Sequence, residues 1–170
     1  WIVNRRMHSH YHTLEVVRAF NRFAGARADG HLILIQGDAD PEYARLVSQE
    51  ARGHPRIHVI QGFLAQEALR DWLCAADFAI SVPRSDQLSS SILEAMQCGA
   101  IPVLGRLPSY QSVGAAAEWV DISPGRIEEN LTKMFVQTAG YAPERLKAGR
   151  DDTWQKIKEI NNPERIGAAI

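Results

Sequence analysis

Short apolar runs alternate with longer amphipathic segments along the whole chain, and this alternation constrains the fold more than any other feature. Six runs rich in β-branched or aromatic residues predict strands. They lie at residues 1–3, 32–35, 57–60, 78–82, 101–104 and, with the weakest signal, 119–121. Because the runs are almost continuously apolar, as in strands covered by helices on both faces, they favour a parallel sheet.

The amphipathic segments between these runs predict helices. Five of them lie at residues 12–24, 41–52, 66–76, 90–98 and 126–136. After Gly140 the pattern predicts two short helices, at 143–148 and 152–160, ended by Asn161-Asn162-Pro163. We therefore expect an α/β fold: a Rossmann-like three-layer α/β/α domain over residues 1–140, with a mostly parallel sheet of about six strands. Residues 141–170 are expected to pack on this domain or toward a further one.

Charge and cysteine content exclude several classes of protein. The chain has 19 Lys and Arg against 20 Asp and Glu in 170 residues, a net charge of −1. No overall field therefore attracts nucleic acid or an anionic membrane surface. Cys74 and Cys98 lack C-x-x-C spacing, which favours a reducing compartment over a disulfide framework or a zinc site.

The apolar runs and the first residue of the chain indicate whether it carries a membrane span or a signal peptide and whether it is part of a longer protein. No run approaches the roughly 20 apolar residues of a membrane span, and no signal peptide is recognisable. The chain starts at Trp1, inside a predicted strand and without an initiator Met. We therefore expect a part of a longer protein.

Turn residues follow the predicted strands, at Gly37-Asp38, Gly62, residues 83–86 and residues 105–108. In an open parallel sheet, ligands bind in the crevice outside the carboxyl ends of the strands. These loops are therefore where a functional site is expected.

Residues 85–96 combine a polar loop with a predicted helix start. Serines at 89–91 suit a helix N-terminus, where free amides and the helix dipole favour a phosphate. On a helical wheel Glu94 lies opposite the apolar Ile92 and Met96. Ser91-x-x-Glu94 also matches a capping box, and Asp86 also suits a plain turn, so the sequence leaves both alternatives open.

The spacing of this region resembles a known signature. Pro83-x-Ser85-Asp86 is followed, after seven intervening residues, by Glu94, which begins Glu-Ala-Met-x-x-Gly-x-x-Pro-Val. This pattern resembles the donor-binding motif of glycosyltransferase family 4, found in the C-terminal domain of the GT-B fold. Residues 35–38, 57–64 and 76–83 resemble the family's other strand and turn motifs, in the right order. The resemblance runs from about residue 2 to 136.

The resemblance implies a set of site residues. Asp86 would contact the transferred sugar, and Arg6 would stabilise the diphosphate leaving group. Glu94 would bind the ribose hydroxyls. The remaining donor-binding positions are Gly37, Phe63, Leu64, Gln87, Leu88, Ser89 and Ser90, with Phe63 and Leu64 beside the base and 87–90 beside the phosphate or sugar.

The sequence departs from the family pattern in three ways. The family's first acidic residue is most often glutamate, and here it is Asp86. Glycines that usually follow it are replaced by Gln87, Leu88 and Ser89, and a lysine position falls on Tyr11. Without glycine, the loop loses easy access to positive φ.

Other polar and aromatic residues allow more than one interpretation. His8, His10 and His12 alternate like metal ligands, but a loop that contacts phosphate or solvent is favoured, and no metal is predicted. Arg84 and Arg106 follow strands, where each would either clamp a phosphate or acceptor or remain a solvated arginine. Trp119 and Trp154 are interpreted as packing residues.

The resemblance implies the donor-binding half of a retaining glycosyltransferase of the hexosyltransferase type. Such an enzyme moves a sugar from a nucleotide-diphosphate sugar, without cofactor or metal, to a glycan or lipid-linked acceptor in polysaccharide biosynthesis. We expect the enzyme in the cytoplasm, either free or bound as a peripheral protein at the inner face of the membrane. The acceptor domain would lie N-terminal to this chain, which alone would bind donor without transfer. The alternatives are a nucleotide-sugar epimerase of the same architecture and a non-catalytic nucleotide-binding or assembly domain.

Overall fold

A six-stranded parallel sheet forms the centre of the computed structural model, which describes residues 1–24 and 30–162. The strands are β1 (Ile2–Val3), β2 (Leu32–Ile35), β3 (Ile57–Ile60), β4 (Phe78–Ser81), β5 (Ile101–Gly105) and β6 (Glu118–Val120). Their spatial order is β3-β2-β1-β4-β5-β6. The α/β Rossmann-like fold and the six-stranded parallel sheet predicted from the sequence are confirmed.

Six helices connect and cover the strands. They are α1 (Thr13–Ala24), α2 (Pro41–Ala51), α3 (Gln66–Ala75), α4 (Ser90–Gln97), α5 (Ile127–Ala139) and α6 (Pro143–Ile160). Two 3-10 segments lie at Ser9–Tyr11 and Pro108–Ala116. None of the helices in the described ranges is long and apolar enough to cross a bilayer.

Local sequence signals explain several helix boundaries. Asp40 caps α2, since its carboxylate accepts a hydrogen bond from the Tyr43 amide at 2.8 Å. Pro41 follows at the first helical position, where no amide hydrogen is needed. Strands and helices α1 to α4 begin and end within one or two residues of the predicted positions, and α5 continues three residues further than predicted.

The C-terminal helix differs from the prediction. One continuous helix, α6, replaces the two short ones expected at 143–148 and 152–160, although Asn161 ends it as predicted. The expected break fell at Gly149, but this glycine serves packing: a Cβ there would lie 2.5 Å from Ile101 Cδ1. The helix can therefore approach the start of β5 closely without being interrupted. Pro163, the rest of the predicted stop, lies outside the described residues.

The helices divide between the two faces of the sheet. Helices α1, α2 and α5 cover the first face, where Phe20, Phe23 and Phe135 are fully buried. Helices α3 and α4 and the 3-10 segment Pro108–Ala116, which the sequence did not predict, cover the second face. Helix α6 links the two, since Leu146 packs against the first face and Ile157 belongs to the core of the second.

The direction of strand addition reverses between β1 and β4. The chain adds β2 and β3 on one side of β1 and then returns to add β4, β5 and β6 on the other. Loops leaving β1 and β4 therefore diverge to opposite faces and open a crevice at their carboxyl ends. The segments that meet there are residues 4–6, residues 82–89 and the start of α4.

Candidate functional site

A buried arginine joins the ends of β1 and β4 in this crevice. Arg5 is only 7% exposed, and its Nη2 donates to Asp86 Oδ2 at 2.5 Å. Its Nη1 donates to Ser89 Oγ, and its guanidinium lies 4.6 Å from the centre of the Tyr11 ring. One side chain thus holds the loop after β4 and the start of α4 against β1.

Asp86 also binds the second face of the domain. Tyr110 Oη donates to the same Asp86 oxygen at 2.8 Å and lies 3.3 Å from Ser81 Oγ. Burial, followed by the neighbouring Asp86 carboxylate, raises the pKa of Tyr110 well above its usual value, so this phenol stays a hydrogen-bond donor. The Gln87 amide donates to the other oxygen at 3.0 Å. A carboxylate offers about four acceptor positions, so these three donors leave about one for a ligand.

The start of α4 lacks the capping box that the sequence allowed. The N-cap is Ser89, its side chain makes no capping hydrogen bond, and its hydroxyl instead accepts from Arg5. Ser91 and Glu94 are then the second and fifth residues of the helix, too far along for the reciprocal bonds of a capping box. The capping-box interpretation of Glu94 is therefore wrong.

Glu94 instead lies at the surface, in a groove between α3 and α4. The groove has a volume of about 500 Å³ and an apolar wall formed by Leu69 and Trp154. Gln66, Arg70 and Gln97 supply polar groups around it. Ile92 and Met96 are fully buried on the opposite side of α4, as the helical wheel predicts. The carboxylate is thus free of any role in helix capping and faces an open concave surface.

The glycine turns after β2 and β3 lie beside this crevice. The Gly37 amide donates to the Gly62 carbonyl at 3.2 Å, and both glycines have positive φ, 51° and 75°. Phe63 follows immediately and is 82% exposed, which is unusual for a phenylalanine in a folded domain. Leu64 is half-buried against the core of the second face.

The two neighbouring arginines of the β1 loop have different partners. Arg6 is exposed and pairs with Asp38, with 2.9 Å between Nε and Oδ2. It is Arg5 that contacts Asp86 and Ser89. Sequence reasoning selected Arg6 and missed Arg5, because β1 is buried on both faces and its apolar pattern does not show which of two adjacent arginines points inward.

The remaining predicted positions divide between surface and core. Gln87 and Ser90 are exposed, whereas Leu88 is half-buried against the core of the second face. Trp119 packs as predicted, and its Nε1 donates to the Gly114 carbonyl at 3.1 Å. Trp154 was predicted to pack, but it remains 46% exposed because it lines the Glu94 groove.

The three histidines of the β1 loop face different partners. His8 Nδ1 accepts from the His10 amide at 3.1 Å, while His10 Nε2 lies against the Ser85 carbonyl. His12 Nδ1 lies 3.2 Å from Glu15 Oε1, and its backbone is left-handed with φ of 55°. The rings therefore support the loop through separate contacts.

Comparison with known proteins identifies the fold. No family model matches the sequence, and no curated protein matches it. The α,α-trehalose-phosphate synthase (UDP-forming) of Burkholderia vietnamiensis is similar in structure, with a TM-score of 0.77, 12% identity and coverage of 94% of this chain and 41% of that one. The Burkholderia xenovorans synthase in complex with glucose-6-phosphate gives a TM-score of 0.74 at 14% identity, covering 93% and 39%.

The N-terminal domain of Candida albicans trehalose-6-phosphate phosphatase gives a TM-score of 0.74 at 16% identity, covering 93% of this chain and 38% of that one. The chain thus spans about two fifths of the length of these solved structures. At such low identity the similarity concerns the fold alone. The chain has the fold of one domain of a GT-B glycosyltransferase, and its assignment to family 4 stays a prediction.

Proposed function

We propose that this chain is the donor-binding domain of a retaining glycosyltransferase that uses a nucleotide-diphosphate sugar. The observation that carries the proposal is the position of Glu94. Its carboxylate is exposed in a groove, has no capping role, and lies one turn from the start of a helix that opens at the reversal point of the sheet. Asp86 lies eight positions before it, as the family 4 resemblance requires.

The chemistry of these groups suits the parts of such a donor. Vicinal ribose hydroxyls are donors, and a carboxylate accepts both at once. A diphosphate is an anion that binds the free amides and positive dipole end of a helix such as α4. In this proposal Phe63 and Leu64, beside Gly37, supply apolar surface for the base. Residues 87–90 contact the phosphate or the sugar of the donor.

The two arginines of the β1 loop, Arg5 and Arg6, are assigned different roles in this proposal. Preorganised positive charge near a departing diphosphate stabilises the transition state electrostatically. We assign that role to Arg6, which is exposed beside the crevice, together with the α4 N-terminus. Arg5 is proposed to hold Asp86 and Ser89 in place, so that the remaining acceptor position of Asp86 meets the transferred sugar.

The proposal for the longer protein includes the finer features that the resemblance implies. These are hexosyl transfer with retention, no cofactor or metal, and a glycan or lipid-linked acceptor bound by another domain, in the cytoplasm or at the inner membrane face. A cleft enzyme assembles its transition state between two domains. The 170 residues alone are therefore expected to bind donor without transferring sugar.

Isothermal titration of nucleoside diphosphates tests the role of Glu94. Loss of a charged hydrogen-bond acceptor costs about 1–3 kcal/mol, so Glu94→Ala should weaken binding roughly 5- to 150-fold. The melting temperature should hardly change, because the side chain is exposed. Glu144→Ala, at an exposed position in the first turn of α6, is the matched control and should bind normally. Unchanged affinity of Glu94→Ala, or no nucleotide binding by the wild type, would refute the proposal.

The occupied oxygens of Asp86 favour a second candidate, a nucleotide-binding domain that makes no contact with a sugar. The two functions differ in one measurement, the affinity for a nucleoside diphosphate compared with that for its sugar. If Asp86 receives the sugar, the nucleotide sugar binds more tightly and Asp86→Asn removes the difference. Equal wild-type affinities would favour the second candidate.

A further inference from the structure

A second groove opens at the carboxyl edge of the sheet and shares no lining residue with the Glu94 groove. It has a volume of about 740 Å³ and lies between the ends of β4, β5 and β6 and the first turns of α1 and α5. Its polar side chains are His12, Glu15, Arg84, Arg106, Asp121 and Ser123. We call it the basic groove because its two arginines, Arg84 and Arg106, pair with no acid among the described residues.

Arg84 and Arg106 leave neighbouring parallel strands close to each other. Ser81 of β4 is aligned with Leu104 of β5, and adjacent strands lie about 4.8 Å apart. The Arg84 amide donates to the His10 carbonyl, and the Arg106 amide donates to the Val120 carbonyl, both at 2.9 Å. The two guanidinium groups therefore start from fixed backbone positions.

Neither guanidinium lies within 4.0 Å of a carboxylate in the part of the chain that the structure describes. Both residues are exposed, and Arg106 lies 6.0 Å from the centre of the Trp119 ring. Like charges on neighbouring strands are unfavourable unless a group of opposite charge lies between them. The pair therefore offers exposed donors, unpaired with any carboxylate of the described residues, to an anion.

The two acids that face the groove are engaged elsewhere. Asp121 Oδ1 accepts from both the amide and the hydroxyl of Ser123, at 3.0 and 2.6 Å. These hydrogen bonds hold the pKa of Asp121 below its usual value, with a smaller contribution from Arg126 and Arg106. Glu15 lies against His12. Neither carboxylate pairs directly with Arg84 or Arg106.

We propose that Arg84 and Arg106 bind a phosphate group in the basic groove, carried by a sugar phosphate or by free inorganic phosphate. Arginine matches phosphate because its planar fork makes two parallel hydrogen bonds. The site is separate from the one proposed for the nucleotide, since the Glu94 groove lies on the second face and the basic groove opens between α1 and α5. It would place a second, phosphorylated ligand at the same edge of the sheet.

Titration of the 170-residue chain with inorganic phosphate, followed by calorimetry, tests the site. The double variant Arg84→Gln/Arg106→Gln should lose at least about tenfold in phosphate affinity, since it removes both charged donors to the phosphate. Arg45→Gln/Arg52→Gln, at an exposed position of α2 and at the exposed residue that follows this helix, removes the same charge and should bind phosphate normally. Melting curves of both variants establish that each is folded.

A second titration, with glucose 6-phosphate, distinguishes the sources of the phosphate. Tighter binding than inorganic phosphate would indicate a sugar phosphate, and equal binding would indicate free phosphate. Nucleoside diphosphate affinity should stay unchanged in the Arg84→Gln/Arg106→Gln variant, which separates this site from the Glu94 groove. The proposal is overturned if the wild type shows no saturable phosphate binding, if the control loses as much affinity as the test variant, or if nucleotide binding falls in parallel.

Discussion

The two faces of the sheet are stabilised by different means. Four of the five phenylalanines, Phe20, Phe23, Phe78 and Phe135, lie in the core of the first face, with Trp1 among them at centroid distances of 5.3 to 6.0 Å. On the second face, four alanines line the core between the sheet and helices α3 and α4: Ala76, Ala79, Ala95 and Ala100. The fifth phenylalanine, Phe63, is exposed. Aromatic packing is thus concentrated on the face that carries no candidate nucleotide site.

The second face has an apolar core as well, and a polar connection is added to it. Arg5, Asp86 and Tyr110 join β1, the loop after β4 and the segment Pro108–Ala116. The groove with Glu94 lies between α3 and α4, whose inner residues Leu73, Ile92 and Met96 are buried. The two faces thus differ in how they are held together: large aromatic side chains fill the core of the first, whereas a buried ion pair and a tyrosine hydroxyl join the loops of the second.

The largest effect is expected on the first face. Phe135→Ala removes a fully buried ring, so the free energy of unfolding should fall by about 3–5 kcal/mol, as for other buried aromatics. Val136→Ala, at the next residue of α5, is 48% exposed and should change it by less than about 0.5 kcal/mol. Urea denaturation measures both. Similar losses for the two variants would contradict the proposed role of the aromatic core.

A smaller effect is expected where the polar connection is broken. Asp86→Asn removes the charge from a largely buried ion pair and should lower the free energy of unfolding by roughly 2–4 kcal/mol, because Arg5 keeps an unpaired buried charge. Asp38→Asn breaks the exposed pair with Arg6 and should cost no more than about 1 kcal/mol.

Hydrogen exchange locates the effect of Asp86→Asn. Amides of α4 should exchange faster in this variant, while those of α1 and α5 keep their relative protection, if the polar connection serves the second face. Uniform acceleration across both faces would show that it supports the whole domain instead.

The smallest expected effect concerns the reactivity of the Cys98 thiol. Burial, and then the neighbouring Cys74, raise the pKa of the Cys98 thiol to about 11. Because the thiolate is the reactive form, a raised pKa means less thiolate at neutral pH, and alkylation should accelerate only as the pH approaches 11. Peptide-resolved iodoacetamide labelling between pH 7 and 11 measures this, with the urea-unfolded chain as control. A native profile with the same midpoint as the unfolded one would contradict the burial of this thiol.

Local patterns determined the elements of this fold. Apolar runs such as Leu32–Ile35 and Phe78–Ser81 predicted strands to within one residue of where the structure has them, because a run that is apolar on both sides is stable only between two layers of helices. The carboxyl-edge loops followed from the same alternation, and so did the exposed position of Glu94 on α4. These are properties of neighbouring residues, which a sequence displays directly.

Contacts between distant residues decided the rest. Which of Arg5 and Arg6 faces inward depends on Asp86, 81 positions from Arg5, and the continuity of α6 at Gly149 depends on Ile101 in β5. The capping role open to Glu94 disappeared because Ser89, whose hydroxyl accepts from Arg5, is the N-cap of α4, two residues before the Ser91 that a capping box with Glu94 requires. The sequence by itself determined the strands, helices α1 to α5 and the edge at which a site is expected. Only the tertiary structure decided which polar groups meet there, because hydrogen bonds and packing clashes depend on positions in space and not on spacing along the chain.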